Sequence, residues 1–156
     1  MNLLFFLSLH MVGIATMAGT TLVDFFCYSR FWKLYPSGKE KAATLLPVLS
    51  AFRFLFAGGF LLLLISGVGM VALSHGLFAE QRWFRIKMGI IVLILINGAV
   101  YGRRVATKLR NTIDADIAGV DVTAARTALK ARLRVVHMLQ LLLFLAIFVL
   151  SVYKFN

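Results

Sequence analysis

The charged residues of this chain fall in short stretches, and the gaps between them limit what it can fold into. No Asp, Glu, Lys or Arg occurs in residues 1–23, 54–79, 88–102 or 135–153. A helix crossing the ~30 Å hydrocarbon layer needs about 20 mostly apolar residues. The first, second and fourth gaps reach that length or nearly so. The third does when Trp83–Lys87 is included, with Arg85 and Lys87 snorkelling outward from the helix end. The pattern predicts an all-α polytopic membrane protein, an up-down bundle of four transmembrane helices. The spans are expected near 3–29, 47–74, 83–106 and 132–153, with residues 1–156 forming a single transmembrane domain.

Composition excludes the alternatives. Hydrophobic residues make up 61% and charged residues 15% of the chain, against roughly half and a quarter in a soluble domain. That imbalance argues against both disorder and an ordinary cytosolic fold. Transmembrane strands would alternate apolar and polar residues, which Gly59–Leu64 and Leu139–Val149 do not. The first ten residues contain no Lys or Arg, so the first helix is expected to be retained rather than cleaved as a signal peptide. Cys27 is the only cysteine, which excludes an intramolecular disulfide.

Orientation follows from the basic residues. The 1–2 loop carries Arg30, Lys33, Lys39 and Lys41, and the 3–4 loop carries Arg103, Arg104, Lys108, Arg110, Arg126, Lys130, Arg132 and Arg134. On the opposite side lie Arg82, Arg85, Lys87 and Lys154. The excess places both large loops in the cytoplasm and both termini outside a cytoplasmic (inner) membrane. Phe31, Trp32 and Tyr35 on one side and Trp83 and Tyr153 on the other suit interfacial anchoring. The net charge of +11 is accounted for by attraction of these loops to anionic lipid, without nucleic acid as a partner.

Between the spans, Pro36-Ser37-Gly38 signals a turn, and Pro47 suits the first turn of the second helix. The 3–4 segment, near 103–134, reads as a basic helical hairpin, with Asp121 or Thr123 capping a helix that runs through Ala124–Arg134 into the last span. Its Asp114, Asp116 and Asp121 lack the ligand spacing and terminal Glu of a calcium loop. Gly13, Ala15, Ala18 and Gly19, with Gly58, Gly59, Gly67 and Gly69, mark close helix contacts, as do Gly89, Gly98 and Ala99. The last helix, bulky over Leu139–Leu145, is expected to show lipid a broad face.

Ionisable groups inside a span are costly and point to function. Two sets occur, at different depths. The outer set is His10, Lys87 at the start of the third helix, and His75 beside Gly76. The inner set is Asp24, Arg53, Asn97, Tyr101, His137 and Gln140. Packing alone accounts for much of the inner set: an Asp24–Arg53 ion pair, with Tyr101 and His137 at the headgroups. For His10 the packing alternative is an interhelical hydrogen bond to Ser or Thr, for Lys87 simple snorkelling, and for His75 a loop position. No hydrolytic, phosphate-binding or dinucleotide motif is present. What remains is an apolar bundle holding one deep His, the arrangement in which helix bundles bind haem.

Leu9-His10, followed by Met17-Ala18-Gly19, resembles the start of the HemJ-type protoporphyrinogen oxidases and the related copper-resistance D-like membrane proteins. Trp83-Phe84-Arg85-Ile86-Lys87-Met88 is similar to that family's Trp-x-x-x-Lys-Leu signature, and Arg53 and Gly67 match its second helix in position. The resemblance implies a helical bundle that binds b-type haem through His10, with Lys87 or His75 as a second ligand or propionate partner. The chain departs from the oxidases at Asn97-Gly98, where they have a His, and at Val136-His137, where they have Asn-Glu. Those departures bear on protoporphyrinogen oxidation rather than on haem binding. The expected function is therefore a haem-b redox protein acting on a tetrapyrrole or quinol-like substrate or passing electrons. The alternatives are a non-enzymatic membrane subunit without a cofactor, in a homo-oligomer or with a partner subunit, and a transporter. Four helices without an internal repeat disfavour the last.

Overall fold

The computed structural model describes residues 2–74 and 81–153. The described residues are helical throughout, without strands, and four helices are long and apolar enough to cross a membrane. The first is α1 (Leu3–Leu34), ended by a 3-10 turn at Tyr35–Ser37 whose Pro36 cannot continue the hydrogen-bond ladder. A short α2 (Lys39–Ala43) leads into α3 (Leu46–Leu73), where Pro47 occupies the first turn as its fixed φ favours. The third span is α4 (Arg82–Leu95), a π-helical segment Ile96–Gly102, and α5 (Arg103–Ile117), running end to end as one rod. The last is α6 (Thr123–Val152).

Two departures from the expected boundaries have the same cause. α1 continues past residue 29 to Leu34, and the third helix past 106 to Ile117. Charge ends the apolar run without ending the helix, because Lys and Arg are good helix formers. α5 stops at a glycine: Gly119 has φ +88°, and Val120 N–H donates back to Ala115 O at 3.0 Å, the left-handed closure a Cβ would oppose. Asp121 Oδ1 then accepts from Thr123 N–H at 3.0 Å and Thr123 Oγ1 at 2.8 Å, a turn just ahead of α6, whose cap position is Val122 rather than the expected Asp121 or Thr123.

α3 lies along α1, α1 touches α6, and α6 carries the third span. The α1–α3 seam is the closest. A Cβ on Gly13 would come within 2.9 Å of Leu63 Cγ and 3.0 Å of Gly59 O, and one on Gly59 within 2.8 Å of Met17 Cγ. Such a fit of backbone to backbone is what associates helices in an apolar medium, where burial from water supplies no driving force.

Large apolar side chains are exposed along every span, from Leu3 to Phe26 on α1, Val48 to Leu73 on α3, Ile86 to Tyr101 on the third span and Val135 to Tyr153 beyond the first half of α6. On α6 that stretch rises about 27 Å at ~1.5 Å per residue, close to one hydrocarbon layer. Its opposite face is a buried stripe, Leu133, His137, Gln140, Phe144, Ile147 and Leu150. The breadth expected of its lipid face is therefore confined to one side.

Beyond the apolar belt, at the basic end, the chain builds a second core. Tyr28, Phe31, Tyr35, Leu49, Val105, Leu109, Ile113, Leu129 and Leu133 pack together there, and Phe31, Leu109 and Ile113 have no exposed surface. The basic hairpin is thus tied down rather than projecting alone. In water each such side chain contributes about 1.5–3 kcal/mol on burial. The nearly buried Asp116 locks this end: it accepts from Tyr35 Oη at 2.5 Å, Lys39 Nζ at 2.6 Å and Arg126 Nη1 at 3.3 Å, joining α2, α5 and α6 to the end of α1.

Candidate functional site

The spans place two polar layers at different depths. Towards the chain termini is His10, on α1 one turn before Gly13. Its Nδ1 lies 2.9 Å from Ser66 Oγ on α3, and Ser66 is fully buried. The hydroxyl proton is already committed, since Ser66 Oγ donates to Leu62 O at 2.6 Å. With its proton on that carbonyl, Ser66 Oγ accepts from His10 Nδ1–H, and the ring lone pair is then at Nε2. Gly67 lies beside the imidazole, where an added Cβ would meet His10 Cε1 at 3.8 Å.

Lys87 belongs to the same layer. Its Nζ donates to Ser151 Oγ on α6 at 3.1 Å. Ser151 Oγ in turn donates to Ile147 O at 2.7 Å. Lys87 is therefore a half-buried bridge to α6, not a side chain simply snorkelling into water. Trp83, one turn earlier and buried, donates its indole N–H to Gln81 Oε1. Position 75, the other expected member of this set, lies outside the described residues.

The layer at the basic side is where the structure corrects the sequence reading most. Asp24 does not pair with Arg53. Its Oδ2 lies 2.9 Å from His137 Nε2, and Arg53 instead stacks its guanidinium over Phe54, 4.7 Å from the ring centroid. His137 is buried between helices, with the Tyr28 ring 5.3 Å and the Phe25 ring 6.2 Å away. Tyr101 is exposed. Of the expected cluster, Asp24, Asn97, His137 and Gln140 thus sit in the interior, while Arg53 and Tyr101 face outward.

Asn97 and Gln140 complete the layer. Asn97 Nδ2 donates to Gln140 Oε1 at 2.7 Å and to Val136 O at 2.9 Å, and Gln140 Nε2 donates to Ile94 O at 3.3 Å. Asn97 lies in the π segment, where the i→i+5 ladder widens the helix and re-aims its side chains, a feature that often marks functional positions. Gly98 allows the approach: a Cβ there would meet Phe56 Cζ at 3.2 Å and Gln140 Nε2 at 3.4 Å. Nothing in the local sequence except Asn97-Gly98 marks the wide turn.

Among the described residues no group of three or more His, Cys, Asp or Glu converges as a metal site would require. Haem makes a smaller demand, because the macrocycle supplies four nitrogens and the protein one or two axial ligands. His10, with Nδ1–H held and Nε2 bearing the lone pair, fits that demand chemically, and Lys87 offers a cation to a carboxylate at the same depth. The chain matches no protein-family model, no curated protein and no solved structure.

Proposed function

We propose that this chain is a multi-pass protein of the cytoplasmic membrane that binds haem b through His10 and serves redox chemistry. The carrying observation is the His10–Ser66 hydrogen bond, a geometry that suits the tautomer an axial ligand needs. Metal-bound histidines characteristically donate their second ring N–H to a fixed acceptor, and that bond sets both orientation and basicity. Lys87 supports the reading by bringing positive charge to the same layer, where it would hold a haem propionate. The haem, when bound, supplies one-electron chemistry.

The rest falls to the chain's own residues. Ser66 holds the imidazole against rotation. Gly13 and Gly59 close the α1–α3 seam next to His10. The apolar core of Met17, Ile94, Phe144 and Ile147 keeps water from the layer beneath. The substrate class in this proposal is a tetrapyrrole or quinol-like molecule, or an electron partner. The basic end faces the cytoplasm and anionic lipid, and both termini lie outside. Exposed apolar side chains such as Phe54, Leu55 and Val68 on α3 face lipid, a second copy or a membrane subunit.

A second reading is a subunit without a cofactor. The Asn97–Gln140 layer favours it, because those bonds serve helix packing. Haem content separates the two. His10→Ala, purified after haem-replete expression, is expected to keep its helicity and lose its haem, while Ser66→Ala keeps haem with a shifted reduction potential. Full haem retention by His10→Ala contradicts the assignment.

A further inference from the structure

The basic hairpin holds a groove that the redox reading does not use. It has a volume of about 330 Å³ and lies between α5 and the first turns of α6, lined by Lys108, Asn111, Thr112, Ala125, Ala128, Leu129 and Arg132. We propose that this groove binds the phosphate of an anionic lipid headgroup.

The local sequence explains the groove. Lys108, Asn111 and Thr112 follow the i, i+3, i+4 spacing that puts them on one face of α5, and Ala125, Ala128, Leu129 and Arg132 continue the same periodicity on α6. Two alanines open the floor, and two cations stand on opposite walls. No acidic residue lines it. Of the nearby carboxylates, Asp116 is committed to Lys39, Arg126 and Tyr35 and Asp121 to Thr123, while Asp114, further along α5, is exposed and does not line the groove. Among the described residues neither Lys108 nor Arg132 has an ion-pair partner. Packed helices therefore hold two like charges against one groove, an arrangement an anion relieves.

The chemistry of the lining selects the anion. A guanidinium presents a fork matching two phosphate oxygens, and an ammonium adds a point charge. Asn111 brings an amide donor. Thr112 Oγ1 donates to Lys108 O at 2.8 Å, which leaves its lone pairs for a headgroup hydroxyl.

Depth argues for a lipid rather than a soluble phosphate. Arg132 lies three residues before Val135, where the exposed apolar face of α6 begins, and Lys108 seven residues after the exposed Tyr101. At ~1.5 Å per residue these are about 4.5 and 10 Å beyond the apolar belt. The headgroup layer occupies roughly the first 5–7 Å there, within reach of a lysine stem. The proposal rests on the membrane placement of the chain and not on haem.

The test is native mass spectrometry of the full chain in detergent, exchanged against phosphatidylglycerol or phosphatidylcholine. The wild type is expected to retain one phosphatidylglycerol in preference to phosphatidylcholine by roughly tenfold or more, as two basic groups at a charged surface imply. Lys108→Gln with Arg132→Gln should abolish the preference. Arg104→Gln with Arg134→Gln, which removes the same charge outside the groove, should leave it. Circular dichroism checks that both double variants fold. Equal loss in the two double variants, or no headgroup preference in the wild type, overturns the proposal. Displacement of the lipid by millimolar inorganic phosphate overturns the lipid assignment in favour of a soluble anion. Recovery of the chain from the soluble fraction without detergent would instead refute the membrane placement itself.

Discussion

Asp24 on α1 and His137 on α6 are joined across the bundle. His137 Nδ1 donates to Leu133 O at 2.8 Å, while Nε2 faces Asp24 Oδ2 at 2.9 Å. Hydrogen bonding of this kind is how a carboxylate and an imidazole are tolerated at the basic edge of the apolar belt.

Removing one partner should cost more than removing both. His137→Ala leaves the Asp24 carboxylate facing an apolar interior, with Oδ1 already buried and without a hydrogen-bond partner among the described residues. We expect a loss of about 1–3 kcal/mol, the low end reflecting the partial exposure of Asp24. Asp24→Leu combined with His137→Phe should recover most of that loss in thermal unfolding in detergent. Additive losses would show that the two residues do not act as a pair.

The α1–α3 seam predicts a contrast between glycines. Gly13→Ala drives a Cβ against the Gly59 carbonyl and Leu63, and should destabilise by about 1–3 kcal/mol, since a backbone atom cannot step aside. Gly19→Ala and Gly58→Ala meet nothing within 4 Å. They should be neutral or stabilising by up to about 1 kcal/mol through helix propensity. Melting temperatures of the three variants in one detergent test the seam, and equal effects would refute it.

Acid should loosen the basic end through Asp116. The Lys39 ammonium and the Tyr35 hydroxyl, bonded to its carboxyl, hold that group below the ordinary 3.8. A carboxyl depressed on folding contributes stability that is fully present above its unfolded value and is lost as pH falls through the folded value. Thermal stability of the wild type should therefore drop as pH is lowered below about 4. Asp116→Asn should begin less stable at neutral pH and show a shallower acid dependence. An unchanged slope in the variant would assign the acid sensitivity elsewhere.

Four spans were legible because charge is too costly in hydrocarbon to be scattered, so the empty runs from Met1, Phe54, Met88 and Val135 mark them directly. Small residues marked the close contacts only in part: Gly13 and Gly59 meet across the α1–α3 seam, whereas Gly19, Gly58 and Gly89 meet nothing within 4 Å. Charge complementarity was a poorer guide to partners. Asp24 and Arg53 have opposite signs and similar depth, yet His137 takes the carboxylate because α6, not the face of α3 bearing Arg53, lies against it. The π segment was not legible, because an i→i+5 turn uses the same residues as the helix around it. At the terminal side, the expected Ser or Thr partner for His10 is found as Ser66. That bond ties α1 to α3 and holds the imidazole in place.

Haem binding at His10 is tested most directly by the optical spectrum of the detergent-purified, haem-replete protein, oxidised and then reduced with dithionite. The account predicts a Soret band that sharpens on reduction with resolved α and β bands, absent from His10→Ala. A colourless wild-type protein that also fails to take up added haemin would contradict it, leaving His10 and Ser66 as a packing contact between α1 and α3.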